Sequence, residues 1–241
     1  TENYGGFVLT NEFSAGCRLL PPVPRISQVI GIGLNYHEHA KETGNELPRQ
    51  PIFFFKSLNS ICGPGDTIVI PKVCQDTPEV DYEVELAFVI KKACKDVSIE
   101  EARKYILGYT VCNDVSARRW QGKKGGGQWC QAKSFDTFCP LGPCLILEDG
   151  ISSDPHNTHL STILNGEEMQ NSTTSDLIYT VTDLVSKLSR DMTLPAGTVV
   201  VTGTPSGVGY TRKPPVYLKD GDHCTVRIAG IGELWNPVSL A

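Results

Sequence analysis

Short apolar runs separated by glycine, proline and asparagine recur along the chain, and runs of this kind predict β-strands. One of them ends in Asn165-Gly166, a dipeptide typical of a tight hairpin turn. The runs predict strands over residues 6–9, 29–34, 52–56, 67–70, 80–90, 107–113, 138–147, 160–165, 198–202 and 225–228.

Helical signals are fewer. Asn35 is placed to cap a helix that Gly44 would end, a second helix is predicted over residues 99–105, and an amphipathic helix is predicted over residues 175–188. Residues 118–134 are predicted to form a glycine-rich, basic loop. Since strands outnumber helices and do not alternate regularly with them, the expected class is α+β and strand-rich, not doubly wound.

Composition narrows the possible functions. A length of 241 residues suits one domain with an appendage, so we expect an appendage over residues 1–24 and a main domain over residues 25–241. The net charge of −5 and the lack of a dense Lys/Arg stripe argue against nucleic-acid binding. No apolar run approaches the roughly 20 residues that a membrane span needs.

Cysteine usage indicates where the protein works. The nine cysteines include no CxxC pair and no zinc-finger spacing, which argues for a reducing, intracellular setting. The chain begins at Thr1 without an initiator methionine, so no leader is visible in it.

The most informative chemical pattern lies in the predicted strand 80–90. In a continuous strand, Asp81, Glu83 and Glu85 share one face because successive side chains point to opposite faces. That face turns apolar at Ala87, which places the three acids at the mouth of an interior. The pattern fits either an amphipathic strand with a solvated acidic face or a set of buried carboxylates that bind a cation.

Asp114 offers a third carboxylate beside Glu83 and Glu85, because it follows the predicted strand 107–113. Carboxylate oxygens favour Mg²⁺, Ca²⁺ or Mn²⁺ over zinc. Mg²⁺ usually keeps waters and takes few protein carboxylates, which leaves room for a substrate.

Three other polar features each allow two interpretations. His39 and Glu42 share a helix face and are either a general-base pair or an exposed pair without consequence. Lys133 is either a surface group or part of a site. The glycine-rich segment 202–209 is either a tight turn or a loop whose N–H groups bind a carboxylate, and it matches neither a Walker A loop nor a Rossmann fingerprint.

Taken in chain order, these segments resemble the fumarylacetoacetate hydrolase family. The resemblance implies a mixed β-sandwich roll with flanking helices, of the family's C-terminal-domain type, and usually a homodimer. The matching stretches are residues 33–36 with His39, 81–86, 113–118, 132–136, 202–209 and 213–222.

The resemblance also implies roles for single residues. The metal ligands would be Glu83, Glu85 and Asp114. The substrate's carboxylate and oxo oxygens would be held by Arg118, Gln121, Lys133 and Thr204. A water-activating pair on a lid would be His39 and Glu42. Asp81 matches no such role, so we expect it at the rim of the site or beside the ligands.

Family members hydrolyse C–C bonds of acylpyruvates, decarboxylate oxaloacetate or isomerise oxo-acids, and they share metal chelation of a 2-oxo carboxylate, which stabilises an enolate. Segments 120–121, 125–129, 135–143 and 213–215 look closest to the mitochondrial oxaloacetate tautomerase branch. We therefore expect a Mg²⁺-dependent enzyme, with Mn²⁺ or Ca²⁺ as alternatives, that tautomerises oxaloacetate.

In that reaction His39, Glu42 or Lys133 would move the proton. The alternatives are an oxaloacetate decarboxylase, an acylpyruvate or fumarylpyruvate-type C–C hydrolase, and a non-catalytic metal-binding module. The resemblance implies the mitochondrial matrix as the location, with the cytoplasm as the alternative.

Overall fold

The computed structural model describes residues 18–150 and 154–241, so the strand predicted over residues 6–9 lies outside the described residues. The strands are β1 (Gln28–Gly33), β2 (Ile52–Lys56), β3 (Ile61–Cys62), β4 (Ile68–Ile70), β5 (Val80–Asp81), β6 (Val84–Ile90), β7 (Ile106–Asn113), β8 (Ser116–Ala117), β9 (Cys139–Leu147), β10 (His159–Leu164), β11 (Glu167–Thr173), β12 (Thr198–Val201), β13 (His223–Ile228) and β14 (Gly232–Leu240). The α-helices are α1 (His37–Thr43), α2 (Arg118–Gln121), α3 (Trp129–Ala132) and α4 (Val181–Leu188).

Most of these strands belong to two mixed sheets. A seven-stranded sheet has the order β2-β1-β12-β6-β7-β9-β3, and a five-stranded sheet has the order β11-β10-β13-β14-β4. Strand β1 runs parallel to β12, whereas β6 is antiparallel to both of its neighbours. The short strands β5 and β8 form a ribbon of their own. The predicted α+β, strand-rich class is confirmed.

Strand β6 is buried on both faces, and all seven of its residues are inaccessible to solvent. Leu86 and Phe88 belong to the core that packs the two large sheets against α4. Ala87 and Val89 belong to the core on the opposite face of the seven-stranded sheet. Each large apolar side chain buried in this way contributes about 2 kcal/mol to folding. Glu85, between Val84 and Leu86, is therefore a carboxylate inside a protein interior.

Several predicted elements have different bounds in the structure. The strand predicted over residues 80–90 is broken into β5 and β6, and the helix predicted over residues 99–105 is only a 3₁₀ turn over Ala102–Tyr105. That turn is short because β7 begins at the next residue. The predicted loop 118–134 contains α2 and α3, and β14 was missed because polar residues and Pro237 interrupt its apolar pattern.

The helix ends depend on local hydrogen bonds. Asn35 does not cap α1, because its side-chain amide bonds instead to the backbone carbonyls of Thr202 and Tyr179 at 2.7 and 3.1 Å. Gly44 ends α1 in the left-handed conformation, as predicted. The helix predicted over residues 175–188 begins only at Val181, where Thr180 and the third helical residue form a capping box.

The described part of the predicted appendage packs on the main body. Arg18 donates two hydrogen bonds of 2.8 Å to Asp66, and Val23 is buried in the core that contains β12. The division at residue 24 stays a prediction. The cysteines of the described residues form no disulfide. No helix in the described residues has the length and apolar character to cross a membrane.

Candidate metal centre and active site

The break between β5 and β6 places the acidic residues. The Tyr82 N–H donates to the Asp81 carboxylate at 2.9 Å, and the Glu83 N–H donates to the Asn113 side chain at 3.0 Å. The Val84 N–H donates to the Gln170 side chain at 3.0 Å. Side-chain acceptors thus replace sheet carbonyls over three residues, and the strand is interrupted between β5 and β6. The predicted continuous strand, on which Asp81, Glu83 and Glu85 were expected to share one face, is wrong, because Asp81 lies in β5 and Glu85 in β6.

Glu83, Glu85 and Asp114 nevertheless converge. One carboxylate oxygen of each lies within 4.8 Å of the other two, and all three residues are buried. The Asp114 N–H donates to the Glu83 carbonyl at 2.8 Å, which brings the end of β7 to the start of β6. The spacing is within reach of one divalent cation at about 2.0–2.6 Å from each oxygen. The solvated acidic face, the other interpretation of this pattern, is wrong.

Two buried lysines flank Asp114. The Lys133 Nζ lies 2.6 Å from one Asp114 oxygen and 2.7 Å from a Glu83 oxygen. The Lys56 Nζ lies 2.5 Å from the other Asp114 oxygen and donates to the Lys133 carbonyl at 2.5 Å. Lys133 is therefore no surface group. Lys56 was not predicted, and its only sequence signal is a lysine that ends an otherwise apolar strand.

Arg118, at the start of α2, joins the acidic cluster from the other side. Its Nη1 lies 2.6 Å from Glu83 and donates to Gln121 at 3.0 Å. Its Nε and Nη2 both lie 2.8 Å from one Asp81 oxygen. The Tyr210 ring covers the guanidinium at 4.4 Å. The structure thus brings Arg118 and Gln121 together, as expected.

The segment after β12 contacts Glu85. The Gly203 N–H donates to the Glu85 carboxylate at 2.7 Å, with Gly203 at φ +96. A Cβ there would lie 2.8 Å from the Asn35 Cβ, so glycine alone permits this approach. The Thr204 hydroxyl donates to the Val84 carbonyl at 3.0 Å and accepts from Gln170 at 2.8 Å. Thr204 is therefore beside the site, while its role toward a substrate stays a prediction.

His39 and Glu42 form a partly buried pair on α1, with the His39 Nδ1 3.0 Å from a Glu42 oxygen. The other Glu42 oxygen accepts from the Gly207 N–H at 2.9 Å and the Thr211 hydroxyl at 2.8 Å. His39 is buried and Glu42 is exposed, so the choice between a general-base pair and an exposed pair without consequence stays a prediction. Glu42 both orients the imidazole and attaches α1 to the segment after β12.

The charged side chains of the cluster shift one another's pKa values. Burial by itself would raise the pKa of Glu83, but Lys133, then Arg118 and more weakly His39 lower that pKa to about 2. Burial raises the pKa of Glu85 well above its ordinary value, and the charges of Asp114 and Glu83 raise it further. Burial alone would lower the pKa of Lys133, yet Asp114 and Glu83 raise it, so the ammonium stays charged.

The donor set fits a divalent cation. Glu85 forms no ion pair with any residue in the described ranges, although it is buried beside two other carboxylates. A buried carboxylate without a counter-charge is costly, and a cation at the triad would supply one. The buried cluster also contains more acids than bases, namely Asp81, Glu83, Glu85 and Asp114 against Lys56, Lys133 and Arg118.

The chain is similar to known proteins along most of its length. The sequence profile "Fumarylacetoacetate (FAA) hydrolase C-terminal" matches residues 28–239. A Xenopus laevis protein named mitochondrial oxaloacetate tautomerase is 47% identical over 220 residues, which are 91% of this chain and 68% of that protein. A Homo sapiens protein with this name is 44% identical over 219 residues, again 91% and 68% of the two chains.

Solved structures share the fold. The structure titled 5-carboxymethyl-2-hydroxymuconate delta-isomerase from Mycobacterium smegmatis has a TM-score of 0.80 and 43% identity, and covers 93% of this chain and 82% of that one. The fumarylacetoacetate hydrolase from psychrophilic Exiguobacterium antarcticum has a TM-score of 0.84 and 41% identity, and covers 95% and 80%.

Proposed function

The chain belongs to the fumarylacetoacetate hydrolase family, and we propose that it is a Mg²⁺-dependent isomerase that converts the enol form of oxaloacetate into the keto form. The observation that carries this proposal is the convergence of three carboxylates, two lysines and an arginine in one buried cluster. The relatives named oxaloacetate tautomerase, at 44–47% identity, support the choice of substrate.

Glu83, Glu85 and Asp114 would hold the cation. Mg²⁺ is the proposed ion, and Mn²⁺ and Ca²⁺ are the alternatives for an all-carboxylate site. When bound, a divalent cation withdraws electron density from the oxygens of a 2-oxo acid and so eases loss of the enol proton. The positive charge of the bound cation would also offset the mutual repulsion of the three carboxylates.

Oxaloacetate carries two carboxylates, and the cationic side chains around the triad suit such a dianion. Arg118 presents a guanidinium beside Glu83, and the N–H groups of a guanidinium form strong hydrogen bonds to a carboxylate. Gln121 lies on the same turn of α2 and contacts Arg118. Lys133, Gln121 and Thr204 complete the proposed substrate contacts, with the Lys133 ammonium placed where negative charge develops on oxygen.

The reaction removes one proton from the C2 hydroxyl of the enol and adds one proton at C3. We assign the proton at C3 to His39, because Glu42 fixes its Nδ1 and leaves the other ring nitrogen for the substrate. His39 is also near enough to the triad to lower the pKa of Glu83. Lys133 is charged and therefore serves as an electrostatic group in this scheme.

Cleavage of the same substrate class is the second candidate function. A relative with 41% identity is titled fumarylacetoacetate hydrolase, and decarboxylation or acylpyruvate hydrolysis would use the same cation site. A non-catalytic metal-binding module is less well supported, because the triad and Lys133 are all in place.

One assay separates these functions. Purified protein with Mg²⁺ is given freshly dissolved enol-oxaloacetate, enol loss is followed by ultraviolet absorbance, and pyruvate is measured through a coupled dehydrogenase. The proposal expects rapid enol loss without pyruvate. Pyruvate or CO₂ release that outpaces enol–keto equilibration would show that the protein is a decarboxylase or hydrolase.

We further propose that the protein is a homodimer with a catalytic domain over residues 25–241. We also propose a mitochondrial location, because the names of the similar oxaloacetate tautomerases include the word mitochondrial. At the edge of the seven-stranded sheet, β2 leaves Ile52, Phe53 and Phe55 each more than 40% exposed, and a second copy would cover them. Light scattering should give twice the chain mass of 26.3 kDa, and the chain mass itself would contradict the dimer.

A further inference from the structure

We propose that Asp81 is a positioning residue that holds Arg118 in its substrate-binding orientation and ties it to the segment over residues 207–211. The inference rests on the proposed function in one respect, namely that Arg118 binds a carboxylate of the substrate. Asp81 itself is fully buried, and both of its carboxylate oxygens already accept hydrogen bonds from the chain.

Four hydrogen-bond donors are directed at the Asp81 carboxylate. One oxygen accepts from the Nε of Arg118 at 2.8 Å, lies 2.8 Å from its Nη2 and accepts from the Tyr210 N–H at 3.1 Å. The other accepts from the Tyr82 N–H at 2.9 Å and the Gly209 N–H at 2.8 Å. Apart from Arg118, the carboxylate is therefore fixed by two parts of the chain, the neighbouring Tyr82 and the segment that contains Gly209 and Tyr210.

The contacts divide the guanidinium into two edges. Asp81 occupies the edge formed by Nε and Nη2, whereas Nη1 contacts Glu83 and Gln121. Glu83 is a proposed metal ligand, so Nη1 lies beside the proposed cation site, and Nη2 is buried without a hydrogen-bond partner among the described residues. These two nitrogens are the part of Arg118 that a substrate carboxylate can share. Asp81 holds the Nε side and prevents the side chain from rotating away.

The segment over residues 207–211 reinforces this arrangement. The Tyr210 ring covers one face of the Arg118 guanidinium. The backbone N–H of Tyr210 also donates to Asp81, which contacts the same guanidinium. A Cβ on Gly209 would lie 2.6 Å from the Asp81 carboxylate and 1.8 Å from the Val216 carbonyl, so only glycine brings the backbone this close. Asp81 thus binds the middle of this segment, at Gly209 and Tyr210, while Glu42 binds its two ends, at Gly207 and Thr211.

Glu79 provides a matched comparison, because it is another buried carboxylate two residues away that pairs with an arginine. Its oxygens accept from the N–H and the Nε of Arg119 at 3.0 and 3.2 Å, and Arg119 is itself 40% exposed at the side chain. Glu79 contacts no member of the triad among the described residues. A purely structural carboxylate–arginine pair should therefore behave like Glu79.

The experiment compares Asp81→Asn and Glu79→Gln in the full chain. Oxalate, a planar dianion that resembles the enolate of a 2-oxo acid, is titrated by calorimetry at saturating Mg²⁺, and KM and kcat are measured with enol-oxaloacetate. For Asp81→Asn we expect the Kd of oxalate and the KM to rise tenfold or more, with a smaller change in kcat and an unchanged Mg²⁺ affinity. For Glu79→Gln both constants should stay within twofold of wild type.

Arg118→Lys separates positioning from general loss of structure. In that background the carboxylate of Asp81 no longer has a guanidinium fork to hold, so Asp81→Asn should not weaken oxalate binding further. An additive loss in the double variant would overturn the proposal, as would wild-type Kd and KM in Asp81→Asn or an equal loss in Glu79→Gln.

Misfolding of Asp81→Asn and failure of the proposed function can each be told apart from a failure of this proposal. If Asp81→Asn does not fold, Asp81→Glu keeps the charge but displaces the carboxylate, and the same increase in Kd is expected for it. If the wild-type protein binds oxalate but does not tautomerise oxaloacetate, the proposed function fails, while the oxalate titrations still decide the role of Asp81.

Discussion

Lys56 and Asp114 form an ion pair in which the Nζ lies 2.5 Å from a carboxylate oxygen and neither side chain has any exposed surface. The pair joins the edge strand β2 to the end of β7. Because Lys56 also donates to the Lys133 carbonyl, one ammonium group positions both a proposed metal ligand and the neighbouring lysine.

Lys56→Met should destabilise the metal-free protein by about 3 kcal/mol, because removal of one partner leaves the other charge buried. Mg²⁺ should reduce that loss, since it would replace the missing positive charge beside Asp114. Urea unfolding with and without Mg²⁺ measures both effects. Lys41→Met, at an exposed lysine of α1, is the control and should change stability by less than about 0.5 kcal/mol. Equal stability of both variants would contradict the role of Lys56.

Glu83→Gln should lower the Mg²⁺-dependent rate by about 100-fold or more while the protein stays folded, because the side chain lines the site and the apolar core is intact. The assay is enol loss at increasing Mg²⁺, with circular dichroism to verify folding. Glu167→Gln, at an exposed residue of β11, should behave like wild type. Full activity in Glu83→Gln would show that this residue is not a ligand.

His39→Asn should reduce kcat by about 100-fold or more, within the range expected for removal of a general acid or base. Mg²⁺ binding and the Kd of oxalate should change little, since His39 is not a proposed ligand. His37→Asn is the control on the same helix, where His37 is exposed. A kcat near the wild-type value for His39→Asn would show that another residue moves the proton.

Mg²⁺ should stabilise the protein more strongly as pH rises from about 4.5. Folding raises the pKa of Glu85, so above about pH 4.5 the folded protein keeps a proton that the unfolded chain releases. The stability of the metal-free protein therefore falls as pH rises above this value. A cation at the triad displaces that proton and removes the penalty. The measurement is the Mg²⁺-induced change in Tm across pH, and a change that shrinks with pH would contradict the site.

Local sequence patterns predicted several features correctly. The alternation from Glu83 to Val89 placed Glu85 on the face that contains Ala87 and Val89, and the Asn165-Gly166 pair predicted the hairpin of β10 and β11. Spacing on one helix predicted that His39 and Glu42 would meet. These features depend on residues close in sequence, where backbone geometry alone sets the distance between side chains.

The metal triad and its basic neighbours were also named from the sequence, but by resemblance as well as by pattern. The break at Tyr82 was not predictable, because it depends on acceptors from Asn113 and Gln170, which are 30 and 86 residues away from their donors. Asp81 was expected at the rim of the site or beside the ligands, and it is buried and contacts Arg118, which in turn contacts Glu83.

The sequence by itself determined that carboxylates lie at the mouth of an apolar interior, because alternation and charge are properties of neighbouring residues. Only the tertiary structure decided which groups neutralise them. Lys56 contacts Asp114, 58 positions away, although β1, β12 and β6 lie between β2 and β7 in the seven-stranded sheet. Gly209 reaches Asp81 across 128 positions because a second loop folds over the same site. Ion pairing in a buried site depends on these long-range distances, and no local period specifies them.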